Sequence, residues 1–118
     1  MDMTDYLLVG IGGFIGAILR YMVAGMTPKK GDIPTGTLTV NIMGTTILSY
    51  LTYSHALQHL HLLNIGILGS FTTFSTFTYE SFTLLEQQAN RSFLTNIMLN
   101  CVCCMLGAGI GHLVSNLT

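Results

Sequence analysis

The chain has 118 residues, half of them hydrophobic, with only 8% charged and a formal net charge of −1. A soluble domain carries about 25% charge, so this composition points to a protein embedded in lipid. It provides no basic patch of the kind that nucleic acid demands, and its length suits a single domain.

Four apolar segments follow one another, over 6–24, 37–53, 62–85 and 93–114. Each approaches or exceeds the roughly 20 helical residues that cross about 30 Å of hydrocarbon. The first begins just after Asp2 and Asp5, where a secretory signal would carry positive charge, so it reads as a span and not as a leader. The connections are short. GMTPKKGDIP (25–34) has the prolines, glycines and charges of a loop, and SHALQHLHL (54–62) and EQQANRS (86–92) are the other two. The expected fold is an all-α integral membrane protein, one domain over 1–118 with four transmembrane helices.

In the first segment Gly12 and Gly16 make a GxxxG spacing, as Gly107 and Gly111 do in the fourth. Such faces let helix backbones approach closely, either within one subunit or between two. In the second segment Thr37, Asn41 and Thr45 are spaced by four and share one helix face. Asn96, Asn100 and Cys104 repeat that spacing in the fourth. Polar groups at membrane depth are costly, and they either bond neighbouring helices or line a wet path. Both readings remain open for the two asparagine stripes.

The third segment contains GSFTTFSTF (69–77), where Phe71, Phe74 and Phe77 alternate with hydroxyl side chains after Gly69. Glycine, serine and threonine weaken a helix. Backbone unwinds at membrane depth only where protein or a cavity supplies partners, so the third helix is expected to break mid-membrane. The edge of an aromatic ring is its positive part, so ring edges with hydroxyl and amide donors could meet a small anion. Phenylalanines at this spacing also suit a plain packing stripe. No Lys or Arg lies in these stripes, which favours conduction over tight capture. Arg20 lies nearer one membrane face, where it either concentrates anions or snorkels.

Cys101, Cys103 and Cys104 sit among apolar neighbours. They are expected to be small buried packing residues despite the CxxC spacing. His55, His59 and His61 cluster in the second loop without a nearby carboxylate or thiol, and read as interfacial histidines more readily than as metal ligands. Four helices put both termini and the second loop on one side. Arg20, Lys29, Lys30 and Arg91 all fall toward the other side, which the positive-inside rule makes cytoplasmic.

Three pieces in order, GGFIGAILRY (12–21), GTLTVNIMG (36–44) and GSFTTFSTFTYE (69–80), resemble the Fluc (CrcB) family of small fluoride channels. The similarity runs along essentially the whole chain. It implies a fluoride-selective channel in the cell membrane of a prokaryote that exports fluoride passively and gives fluoride resistance. It also implies an antiparallel dimer with two pores. On this resemblance Phe74 and Phe77 match the pore phenylalanines, Asn41 the pore asparagine, and Thr37 and Thr76 hydroxyls of the polar track. Asn96 and Asn100 fall on the fourth-helix lining, where some relatives carry a tyrosine at the position of Asn96. Arg20 matches the vestibule arginine and Glu80 the acidic residue after the phenylalanines. Gly69 and Thr72 match residues whose carbonyls, two from each subunit, hold a central structural Na+. The one-sided positive charge departs from members that insert both ways. It favours one orientation, and a heterodimer with a homologous chain of opposite bias over a homodimer. Two rivals stand beside this reading: a proton-coupled transporter of the small multidrug type, and a non-conducting accessory membrane subunit. An enzyme is not expected, since no nucleophile–base or metal set can be assembled.

Overall fold

The computed structural model describes residues 1–29 and 31–118. Lys30, one of the four residues in the charge argument, lies outside the described residues. The described chain is helical: α1 Met3–Met26, α2 Thr35–Ser54, a short 3-10 turn Gln58–Leu60, α3 His61–Phe71, α4 Ser75–Glu86 and α5 Asn90–Leu117.

Local chemistry sets the helix ends. Asp5 Oδ2 accepts the Asp2 N–H at 2.8 Å, closing the first turn of α1. Thr27 precedes Pro28, and proline disfavours helical backbone in the residue before it. Thr27 is accordingly extended (φ −82°, ψ 121°) and α1 stops. After α2 the chain turns through His55 and Leu57, both left-handed at φ 56° and 58°.

α1 and α5, at 24 and 28 residues, are long and apolar enough to cross a membrane. The expected third segment is divided between α3 and α4. At 11 and 12 residues, these helices reach only about 17–18 Å each at 1.5 Å per residue. They would cross about 30 Å only as a pair.

Glycine sets the packing. A methyl group built on Gly12 would lie 3.0 Å from the Ile67 nitrogen and 3.1 Å from the Gly66 Cα; one on Gly16 would overlap Ile67 and Ser70. α1 and α3 therefore run side by side, in the same direction, with their backbones nearly touching. Gly107 and Gly111 do the same for α5 against Ile42, Thr46 and Ser49 of α2. Both GxxxG motifs are thus spent inside the subunit. Ala24 meets Gly36, so α1 and α2 form an antiparallel hairpin. Tyr53 stacks edge-on against His112 at 4.3 Å, which brings the second loop and the C-terminal end of α5 together. Lys29 and Arg91 lie at the opposite end. All four histidines are exposed.

Candidate functional site: the junction of α3 and α4

Residues 72–74 lie between the two helices, with Thr72 extended, and α2 holds the backbone there. Asn41 Oδ1 accepts the Thr73 N–H at 2.7 Å, and Asn41 Nδ2 donates to the Thr73 carbonyl at 3.0 Å. One side-chain amide therefore replaces both ladder bonds of one residue. In an unbroken helix the Thr73 N–H would reach the Gly69 carbonyl and the Thr76 N–H would reach that of Thr72. The Thr76 N–H instead bonds Thr73 Oγ1 at 3.2 Å, capping α4. Among the described residues neither the Gly69 nor the Thr72 carbonyl receives a backbone N–H. Gly69 is exposed and Thr72 half-buried.

From Asn41 a chain of amides crosses to α5 and returns to α4. Asn41 Nδ2 donates to Asn100 Oδ1 at 3.3 Å, and Asn100 Nδ2 donates to Asn96 Oδ1 at 3.1 Å and to the Asn96 carbonyl at 2.9 Å. Asn96 Nδ2 then donates to Ser81 Oγ at 2.9 Å. Asn96 is fully buried and Asn100 nearly so. One residue earlier on α4, Thr37 Oγ1 donates to Glu80 Oε1 at 2.5 Å, while the buried Glu80 Oε2 has no partner among the described residues.

Two cavities flank this network. One, of about 280 Å³, brings together Asn41, Thr72, Phe74, Phe77, Asn100 and Cys104. The two rings lie 5.7 Å apart at 50°, and Phe74 is 77% exposed, so its ring projects from the fold. Its other lining includes Thr45, Thr73 and Cys101, and no charged side chain. The second, of about 490 Å³, opens at the basic end and is lined by Lys29, Asp32, Thr37, Glu80, Thr83 and Gln87 among others.

Asn41, Asn100, Phe74, Phe77 and Thr72 thus converge on the first cavity, and Thr37 lies in the second. Thr76 bonds Thr73, Asn96 sits behind the lining, and Arg20 is half-buried on α1 outside both linings. The cysteines differ from expectation. Cys101 is exposed and Cys103 and Cys104 are half-buried; Cys101 and Cys104 border the cavity and Cys103 does not. Sequence reasoning also missed the structural weight of Thr73 and Ser81. The signal for Thr73 was an asparagine in α2 whose amide needs a matching donor and acceptor, which an unwound backbone supplies.

A family model described as CrcB-like protein, Camphor Resistance (CrcB), matches residues 7–112. The chain belongs to the CrcB family. Among its CrcB relatives, the Fluoride-specific ion channel FluC 1 of Methanosarcina barkeri is 53% identical over 116 residues, spanning 98% of this chain and 100% of the relative. FluC 3 of Methanosarcina acetivorans is also 53% identical, over 90% of this chain and 96% of the relative. FluC 1 of that same organism is 47% identical, over 81% of this chain and 79% of its own length.

Proposed function

We propose that this chain is a subunit of a fluoride-selective channel of the cell membrane, through which fluoride leaves the cytoplasm down its electrochemical gradient. The observation that carries the reading is the cavity where Phe74 and Phe77 meet the amides of Asn41 and Asn100 with no cationic side chain in the lining. Ring edges in an uncharged, polar-lined cavity attract a small anion weakly. Conduction requires that weakness, because an ion must enter and also leave. The family and the names of its relatives support the same ion.

The driving force is physical. HF crosses lipid and ionises inside a cell in acidic surroundings, and a negative interior drives the anion out by about 2.3 kcal/mol per 100 mV. Thr37 extends the polar track toward the basic end, and Arg20 raises the anion concentration at that mouth. Thr76 continues the hydroxyl line beside Phe77. Asn96 acts from behind, bonded to both Asn100 and Ser81, and so fixes Asn100 beside the path.

The α3–α4 junction is read as a break at membrane depth. The free carbonyls of Gly69 and Thr72 fit a hard cation such as Na+, for which unwound backbone in membrane proteins commonly supplies oxygen ligands. Bound Na+ would supply positive charge that keeps the broken ends together. As the family resemblance implies, a second chain in an antiparallel dimer would add two more carbonyls. Lys29 and Arg91 at one end favour a single orientation with both termini outside, and a homologous chain of opposite bias as partner. The occurrence of two relatives, numbered 1 and 3, in one organism is in keeping with paired genes.

Glu80 is the one observation that favours a different machine, since a buried carboxylate oxygen without a partner among the described residues is what a proton-coupled transporter would use. Fluoride-electrode recording on liposomes separates the two. A channel passes fluoride at a rate independent of a proton gradient and retains flux in Glu80→Gln. Proton-coupled flux abolished by Glu80→Gln, with no fluoride current, would establish the transporter. Silence of the chain alone and efflux on adding a homologue of opposite bias would establish the heterodimer.

A further inference from the structure

We propose that Cys101 and Cys104 form a two-thiol site for a soft monovalent cation, Cu(I) or Ag(I), and that a cation held there stops fluoride conduction. The second half rests on the channel reading above; the first does not.

Both cysteines line the cavity that contains Phe74, Phe77, Asn41 and Asn100, and Cys103 does not. Both side chains border the cavity, so an ion that enters it reaches the pair. Residues three apart on a helix have Cβ atoms about 5–6 Å apart. A disulfide needs about 3.5–4.5 Å, so the pair stays as two free thiols on a regular helix. That separation suits an ion placed between two sulfurs. Thiolates select soft ions such as Cu(I). Zinc prefers four ligands, and no group of three or more His, Cys, Asp or Glu that could hold a metal occurs among the described residues.

The charge balance makes the occupied site a block. Each thiol releases one proton to water, and the cation bonds both sulfurs. Two thiolates and one monovalent cation carry a net charge of −1. That charge sits beside the phenylalanine pair, in a cavity of about 280 Å³. A fluoride ion would meet a like charge there. Fluoride is a hard anion and does not compete with thiolate for a soft cation, so it cannot clear its own path.

The test uses the full chain in liposomes, with its homologous partner if conduction needs one, in chloride-free nitrate buffer with Ag+ as probe. Each protein is normalised to its own silver-free efflux. Silver should lower fluoride efflux by about tenfold or more, since the bound negative site repels fluoride beside the phenylalanine pair, and excess dithiothreitol should restore it. Cys103→Ser should be blocked like the parent, and Cys101→Ser/Cys104→Ser should resist. In parallel, silver bound to purified protein is counted: the double variant should lose one equivalent and Cys103→Ser none. Equal silver binding by the parent and the double variant would overturn the site. Silver bound with efflux unchanged would overturn the block. Absence of efflux before silver is added would defeat the channel reading instead, and the binding count would still decide the site.

Discussion

The two halves of the interrupted third segment, α3 and α4, are held by different forces. α3 lies against α1 across Gly12, Gly16 and Gly66, with backbones so close that side chains are excluded, and it buries Leu68 and Phe71. α4 has no such glycine seam. Only Ser81 and Leu84 are buried on it, and its aromatic residues Tyr79 and Phe82 are exposed, as is Phe74 at its start. Its ties are side-chain hydrogen bonds: Asn96 to Ser81, Thr37 to Glu80, and the Asn41 grip on Thr73 just before it. The difference teaches where rigidity is needed. α3 anchors the junction to the scaffold. α4 carries the phenylalanines and leaves its apolar face free for another surface.

The contrast can be broken at several points. Gly16→Leu should do the most damage, because its side chain meets the Ile67 backbone, which cannot yield. Overpacking costs about 1–3 kcal/mol and more where backbone is the obstacle, so the variant should fail to give a monodisperse, helical protein in detergent. Asn41→Leu should come next. It strands the Thr73 N–H and carbonyl, at about 1–3 kcal/mol for each buried group left unpaired. Fluoride efflux should vanish, and amides over 72–80 should exchange faster while those of α3 keep their protection. Asn96→Leu should cost about 1–3 kcal/mol by the same reasoning. A double-mutant cycle with Ser81→Ala should return a coupling near 1 kcal/mol, and α4 should lose protection before α3 does. Phe74→Ala should matter least to the fold, since an exposed side chain costs about 0.5 kcal/mol or less. Helix content should be unchanged by circular dichroism, yet efflux should fall. Loss of fold in Phe74→Ala, or full efflux in Asn41→Leu, would erase the distinction between anchor and carrier.

Much of the fold was legible in the residues. Hydropathy marked all four apolar segments, because lipid enforces long apolar runs. The weak helix formers over 69–76 drew attention to the stretch where α3 gives way to α4. The glycine spacings signalled close backbone approach but not the partner, since GxxxG has the same form within and between subunits; only the positions of Leu63, Ile67 and Ile42 decide it. The asparagine stripes were visible as polar faces, but not their wiring. A spacing of four places Asn96 above Asn100 without saying that Asn96 is sealed behind it against Ser81. The apolar neighbours of the cysteines in sequence gave no sign that Cys101 and Cys104 border a cavity beside α5.

Fluoride-electrode recording on liposomes that hold the purified chain, alone and with a homologue of opposite charge bias, bears most directly on the central claim. Rapid fluoride efflux without chloride leak, in either preparation and lost in Asn41→Leu, is the expected result. No fluoride efflux in both preparations, or chloride leaking as fast as fluoride, would mean that the cavity at the α3–α4 junction is not a fluoride path.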